Sequence, residues 1–146
     1  MTPAPRLSLE VEGQFAQPDS INSRGFGAAI WAAWRLTDQL SFIAAASTLI
    51  SHAGPFSTVG AGARALIDLA TIEPFIDVQL VALGPSATTG YNFATRIGGG
   101  ADVHLTEAFA IGLALRTLTP INASTTSGAP GLELGLRLVL TPALLQ

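Results

Sequence analysis

From Leu132 to Leu140 every second residue is leucine, and the positions between hold Glu133, Gly135, Arg137 and Val139. Side chains on a strand point to opposite faces with a period of two. The segment therefore predicts a strand with one apolar and one charged face. Seven further segments alternate similarly, and together the chain predicts strands over 6–16, 25–37, 39–50, 57–71, 74–83, 91–105, 108–119 and 131–141. The first sets Leu7, Leu9, Val11 and Phe15 against Ser8, Glu10, Glu12 and Gln14. The second sets Phe26, Ile30, Trp34 and Leu36 against Gly27, Trp31 and Arg35. The fourth sets Val59, Ile67 and Leu69 against Gly60, Gly62, Arg64 and Asp68. The fifth to seventh place Asp77, Gln79, Arg96, Asp102, His104 and Arg116 opposite Ile, Val, Leu and Phe. The third is the least regular, because Ile43 and Leu49 interrupt the alternation of Leu40, Phe42 and Ile50.

The connections alternate in length. Long polar gaps fall at 17–25, 51–57, 84–90 and 120–131, and short breaks at Thr37-Asp38-Gln39, Ile72-Glu73-Pro74 and Thr106-Glu107. Transmembrane barrels join their strands by short turns at one end and longer loops at the other. An even strand number puts both termini at the short-turn end.

Composition decides which face is inside. The chain of 146 residues is 49% hydrophobic and only 12% charged, with a mean hydropathy of +0.47. A spanning helix needs about 20 consecutive apolar residues. The uncharged stretch 40–63 is cut by His52, Gly54 and Pro55, and the stretch 117–132 by Pro120, Asn122 and Pro130. A closed barrel is the other structure that satisfies every backbone group in lipid. The expected fold class is all-β: one eight-stranded antiparallel up-and-down transmembrane β-barrel over residues 6–142, with a side-chain-filled polar lumen and tails at 1–5 and 143–146.

On that assignment the lumen receives a charge network of Glu10, Glu12, Arg35, Arg64, Asp68, Asp77, Arg96, Asp102, Arg116, Glu133 and Arg137. That is six acids and five arginines. Eight strands enclose only enough space for side chains to fill. Ions there must pair, since an isolated buried charge is very costly. Arginine suits the role because its planar fork binds carboxylates and stays charged. Small residues such as Gly60, Gly62, Gly98, Gly112 and Gly135 leave room for the long side chains. Aromatic belts are expected at the two interfaces. Trp34, Phe42, Phe75 and Phe109 would form one, and Phe15, Phe26, Phe56, Tyr91 and Phe93 the other.

These strands, with Glu133-Leu134-Gly135-Leu136-Arg137-Leu138-Val139-Leu140, resemble the small eight-stranded bacterial outer-membrane barrels, the group that includes OmpA and OmpX. That last segment is similar to the group's C-terminal assembly signal, in which a polar residue, a glycine and a hydrophobic residue precede a final aromatic or hydrophobic one. It departs in ending on Leu140 rather than phenylalanine and in being followed by six residues, Thr141 to Gln146. The stretch from Ile97 to Phe109 resembles a hairpin recurring in the group. The resemblance implies a bacterial outer-membrane location, contact with outer-membrane lipid, recognition of residues 133–140 by the assembly machinery, and a structural, anchoring or surface-interaction role for four long loops. The residues after Met1 lack a basic and an apolar signal region, so a secreted barrel would have lost its signal peptide.

Candidate chemistry is sparse. There is no cysteine and no lysine, and the net charge is −3. Nucleic-acid binding has no electrostatic footprint, and thiol chemistry is excluded. Two histidines make a metal site improbable, and no cofactor is expected. Ser51 and His52 adjoin, but neighbours on a strand point opposite ways and make no nucleophile–base pair. Asp102 and His104 share the inward face, where they read as lumen residues rather than a catalytic base. Gly98-Gly99-Gly100 lacks the helix and lysine of a phosphate loop. The expectation is a non-enzymatic, monomeric barrel. The alternatives are a soluble lipocalin-like carrier with the alternation inverted, a membrane-embedded lipid A hydrolase and a narrow ion pore.

Overall fold

A computed structural model describes residues 6–17, 24–51, 54–86, 90–121 and 131–141. Eight strands carry the alternation: β1 (Arg6–Gln17), β2 (Gly25–Arg35), β3 (Leu40–Ser51), β4 (Gly54–Leu66), β5 (Ile72–Ser86), β6 (Gly90–Thr106), β7 (Phe109–Pro120) and β8 (Leu132–Leu140). Each pairs antiparallel with its neighbours in sequence, and β8 returns to β1 to close the barrel. The closing seam pairs Glu12 with Arg137 and Gln14 with Gly135. The start of β1 and the end of β8 lie at one end with the connections 36–39, 67–71 and 107–108. This is the terminus end, and the opposite one is the loop end.

The period of two turns the leucines outward. Ile30, Val59, Ile76, Leu113 and Leu136 are each more than half exposed, whereas Glu10, Glu12, Arg64, Asp77, Arg96, Arg116, Glu133 and Arg137 are buried. The apolar wall and charged interior match the inside-out arrangement expected of a lipid barrel.

Three details depart from the sequence expectation. The loop end has two long connections rather than four, 18–24 and 121–131, because only 52–53 and 87–89 separate the other two strand pairs. Pairing runs on to Ser51↔Gly54 and, past an irregularity, to Ser86↔Gly90. Gly54 and Pro55, which read as loop formers, are thus strand residues, and Gly54 supplies a φ of +109° that other residues rarely adopt.

The second departure is the end of β4, which stops at Leu66. The short connection is 67–71 rather than 72–74, so Asp68 lies on an exposed turn and not in the lumen. Its Oδ1 accepts the Ala70 N–H at 3.0 Å, the local bond by which aspartate favours turns over strands. Pro74 remains inside β5, where its carbonyl accepts the Ile67 N–H at 2.9 Å. Ala70 sits at φ +62°, a region that costs a residue with a Cβ about 1–2 kcal/mol. Ala70→Gly is expected to stabilise the barrel by about 1 kcal/mol. A urea midpoint that falls or stays fixed would contradict this.

The third departure concerns aromatics. Phe75 turns inward and is 3% exposed, while Trp34 and Phe42 are half exposed on the wall. Phe75 shares the parity of Asp77 two residues on, which fixes its direction. Phe56 also faces inward, half-buried against the loop-end core. Phe15 and Phe26 remain together on the outside with ring centroids 5.1 Å apart. The Tyr91 side chain lies outside the described residues.

Candidate functional site

The middle of the lumen is a chain of ion pairs built from strands far apart in sequence. Arg64 on β4 donates to Glu10 on β1 at 2.6 Å and reaches Asp77 on β5 at 3.4 Å. Arg116 on β7 contacts Asp77 at 3.3 Å and Glu12 at 2.6 Å. Arg137 on β8 donates to Glu10 at 2.7 Å and to Asp102 on β6 at 3.2 Å. Above this chain, Arg96 Nη2 donates to Glu133 Oε1 at 3.0 Å, while its Nε lies 2.8 Å from Oε2. Arg96 also reaches Thr58 at 3.3 Å, whose hydroxyl lies 2.6 Å from that of Ser47.

Two aromatic rings separate the guanidinium groups. The Trp31 centroid lies 4.3 Å from the Arg116 guanidinium carbon, 5.7 Å from that of Arg64 and 5.9 Å from that of Arg96. Phe75 lies 4.6 Å from Arg64 and 4.2 Å from Arg137. A cation over a ring face is attracted by the ring quadrupole, so the aromatics fill the space between like charges and stabilise them. Trp31 carries an inward parity in the sequence. Phe75 is visible there only if period two is followed through Asp77, and its position near a turn hid it among the expected belt residues.

Of the eleven lumen residues expected from the sequence, Glu10, Glu12, Arg64, Asp77, Arg96, Asp102, Arg116, Glu133 and Arg137 are buried together. Arg35 stands at the terminus-end mouth, partly exposed. Asp68 is absent from the network, and its place as sixth acid is taken by Glu73, which pairs with Arg35. The reading of Ile72-Glu73-Pro74 as a turn concealed Glu73, although its parity with Phe75 and Asp77 points it inward. His104 joins this mouth, with Nε2 4.0 Å from Glu73 Oε2. Arg6, Ser8, Arg35, Glu73, Asp102 and His104 help to line a cavity of about 90 Å³.

Part of the lumen toward the loop end is apolar. Val81, Leu83, Ala94 and Leu118 form a buried cluster with Phe56 packed against it. Leu49 is buried too, and Ile43 packs lower down beside Trp31. The residues that made β3 look irregular are therefore inward apolar ones. The alternation of direction holds, and only the assumption of a wholly polar interior fails.

No described residues form a cluster of three or more His, Cys, Asp or Glu able to hold a metal ion. Ser8 and His104 line one cavity, but no hydrogen bond joins them among the described residues. Ser51 donates to the Gly54 carbonyl at 3.2 Å, and His52 lies outside the described residues.

The chain matches no protein-family model and no curated protein sequence. Its fold is that of small eight-stranded outer-membrane barrels. It is similar to Neisserial surface protein A, NspA, with a TM-score of 0.70 at 13% identity over 94% of this chain and 97% of that one. It is similar to the N-terminal β-barrel domain of Pseudomonas aeruginosa OprF, with a TM-score of 0.69 at 14% identity over 94% of this chain and 99% of that one. The outer membrane enzyme PagL is a more distant match, with a TM-score of 0.54 at 15% identity over 90% and 98% of the two chains. A barrel shared with an enzyme leaves function to the residues of the site rather than to the fold.

Proposed function

We propose that this chain is a non-enzymatic β-barrel of a bacterial outer membrane, with a structural, anchoring or surface-interaction role. The observation that carries the reading is the radial distribution of side chains. Large apolar groups cover the wall while ten charged residues among those described are buried within it. Water would select the reverse distribution, and lipid favours this one. A soluble carrier of the lipocalin type would need its leucines inside, and here the ion-pair chain occupies that space. The connections 18–24 and 121–131 are the candidates for contacts beyond the membrane, since loops on a rigid scaffold commonly carry function.

The other expectations follow from the same arrangement. The apolar layer at the loop end and the interlocked arginines disfavour a narrow ion pore. Residues 133–140 present Leu134, Leu136, Leu138 and Leu140 outward, so a partner in the assembly machinery would meet a leucine edge. The barrel needs no second copy for closure, which supports a monomer.

Two measurements test the reading. The folded chain should require detergent or lipid and should change its gel mobility on boiling. A monodisperse β-rich protein in plain buffer would refute the proposal. Leu136→Arg places a charge on the wall at a residue 63% exposed. In lipid it is expected to cost about 2–4 kcal/mol if that position lies near the bilayer midplane. In a water-soluble barrel the same change would be close to neutral.

A further inference from the structure

The charges in the lumen do not cancel locally. Arg96 is matched by Glu133 and Arg35 by Glu73. The remaining groups form one chain in the order Asp102, Arg137, Glu10, Arg64, Asp77, Arg116 and Glu12. Four carboxylates therefore share three guanidiniums. In water such a surplus would be trivial. In a lumen sealed by lipid on its sides it is expensive unless a positive charge meets it.

The surplus falls on Asp102. Glu10 accepts from two arginines, and Asp77 also faces two. Glu12 accepts from Arg116 and from the Gln14 amide, both on Oε1, and although its Oε2 has no partner among the described residues it does not line the terminus-end cavity. Asp102 is held by Arg137 alone, through Oδ2 at 3.2 Å. Its Oδ1 is buried and has no hydrogen-bond partner among the described residues. Directly across the β5–β6 pairing stands another acid, Glu73, and like charges in that position repel. Around Asp102 the charged groups are Glu10 from β1, Arg35 from β2, Arg64 from β4, Glu73 from β5, His104 on β6 itself and Arg137 from β8, and Arg6 and Glu107 stand at the outer rim of the same cavity with no ion pair to Asp102 among the described residues. The β7 residue opposite is Gly112, which brings no charge. Asp102 also lines the terminus-end cavity, whereas an apolar cluster around Val81 and Leu118 fills part of the loop-end lumen.

We infer that Asp102, buried at 3% exposure and facing the terminus-end cavity, binds one exchangeable positive charge, supplied by a proton or a small alkali cation. The ligand enters from the terminus end. It neutralises the chain without disturbing the pairs around Glu10, Asp77 and Glu12. The site is a charge-compensating one at Oδ1, the oxygen of Asp102 that Arg137 does not contact.

Asp102→Asn and Glu10→Gln separate the roles. Asp102→Asn supplies in covalent form the neutrality that the ligand provides, so its urea midpoint in detergent should equal or exceed that of the wild type. Glu10→Gln removes a doubly paired charge and should lower it. Infrared spectra of the wild-type protein with isotopically labelled aspartate carboxyl groups then identify the ligand. A carboxylic-acid carbonyl band at neutral pH, absent from Asp102→Asn, means a proton. No such band, with a midpoint that rises when N-methylglucamine is exchanged for sodium or potassium at constant ionic strength, means an alkali cation. That rise must vanish in Asp102→Asn. The inference is overturned if neither signature is found, or if Asp102→Asn loses as much stability as Glu10→Gln. A charge supplied instead by His104 would leave the wild type with neither signature. A wild-type protein with neither signature overturns the inference even if a variant does not fold.

Discussion

Arg137→Ala is expected to lower the unfolding free energy of the barrel by about 3–5 kcal/mol. Arg137 is fully buried and bridges Glu10 at 2.7 Å and Asp102 at 3.2 Å. Its guanidinium also lies over Phe75 at 4.2 Å. Alanine removes the cation and leaves two carboxylates facing each other. The loss comes mainly from that uncompensated charge, because a buried ion pair taken whole contributes little net stability. The double variant Arg137→Met, Glu10→Gln should therefore recover part of the deficit, although it has fewer ion pairs than the single variant. Urea titration in detergent or lipid, followed by tryptophan fluorescence, reads both. An unchanged midpoint in Arg137→Ala would mean that water reaches the site freely. A double variant weaker than the single one would mean that pairing, not desolvation, dominates.

Gly62→Val is expected to prevent closure, at a cost of at least about 3 kcal/mol, the upper range for overpacking. Gly62 lies inward on β4 with Gln79 opposite it on β5. A Cβ there would meet the Val78 carbonyl oxygen, with the Gln79 Cα at 2.7 Å and the Val78 carbonyl carbon at 2.8 Å. These are backbone atoms of the paired strand, so no side-chain rotation relieves the overlap. The small radius of an eight-stranded barrel crowds inward groups against the next strand, and glycine permits that approach. Gly13 on the outward face is a control, because a Cβ there meets nothing within 4 Å. Gly13→Val should keep the heat-sensitive gel mobility of the wild type, and Gly62→Val should lose it. Equal folding of the two variants would exclude backbone crowding as the reason for glycine at position 62.

The direction of side chains was the most legible property of this chain. Glu10, Glu12, Arg64, Asp77, Arg96, Arg116, Glu133 and Arg137 sit in runs whose neighbours are mostly apolar, and the period of two sends them all to one face. Glu73 and Phe75 obey the same parity and were legible in principle. Pro74 between them suggested a break, and a proline near the start of a strand is a weaker signal than it looks, because it still offers its carbonyl. Asp68 shows the opposite error. Its parity with Arg64 is correct only while the strand continues, and β4 has ended by then. Strand ends depend on where the partner strand stops offering hydrogen bonds, and that is not a local property. The extended pairing of Ser51 with Gly54 has the same origin and leaves the loop end with fewer long connections than the Gly- and Pro-rich segments suggested.

By itself the sequence determined the strand number, the order of pairing, the outward leucine wall and the inward charges. All of these follow from alternation and chain connectivity, which are local. Only the tertiary structure decided which acid meets which arginine, since those partners are brought together by barrel curvature and register across strands as distant as β1 and β8. It also decided that Trp31 and Phe75 separate the guanidiniums, that Ile43, Leu49 and Leu118 make part of the lumen apolar, and that the spare carboxylate is Asp102. Parity states that a side chain points inward. Its depth along the barrel and its neighbours across the lumen depend on strand tilt and closure, and no single strand encodes them.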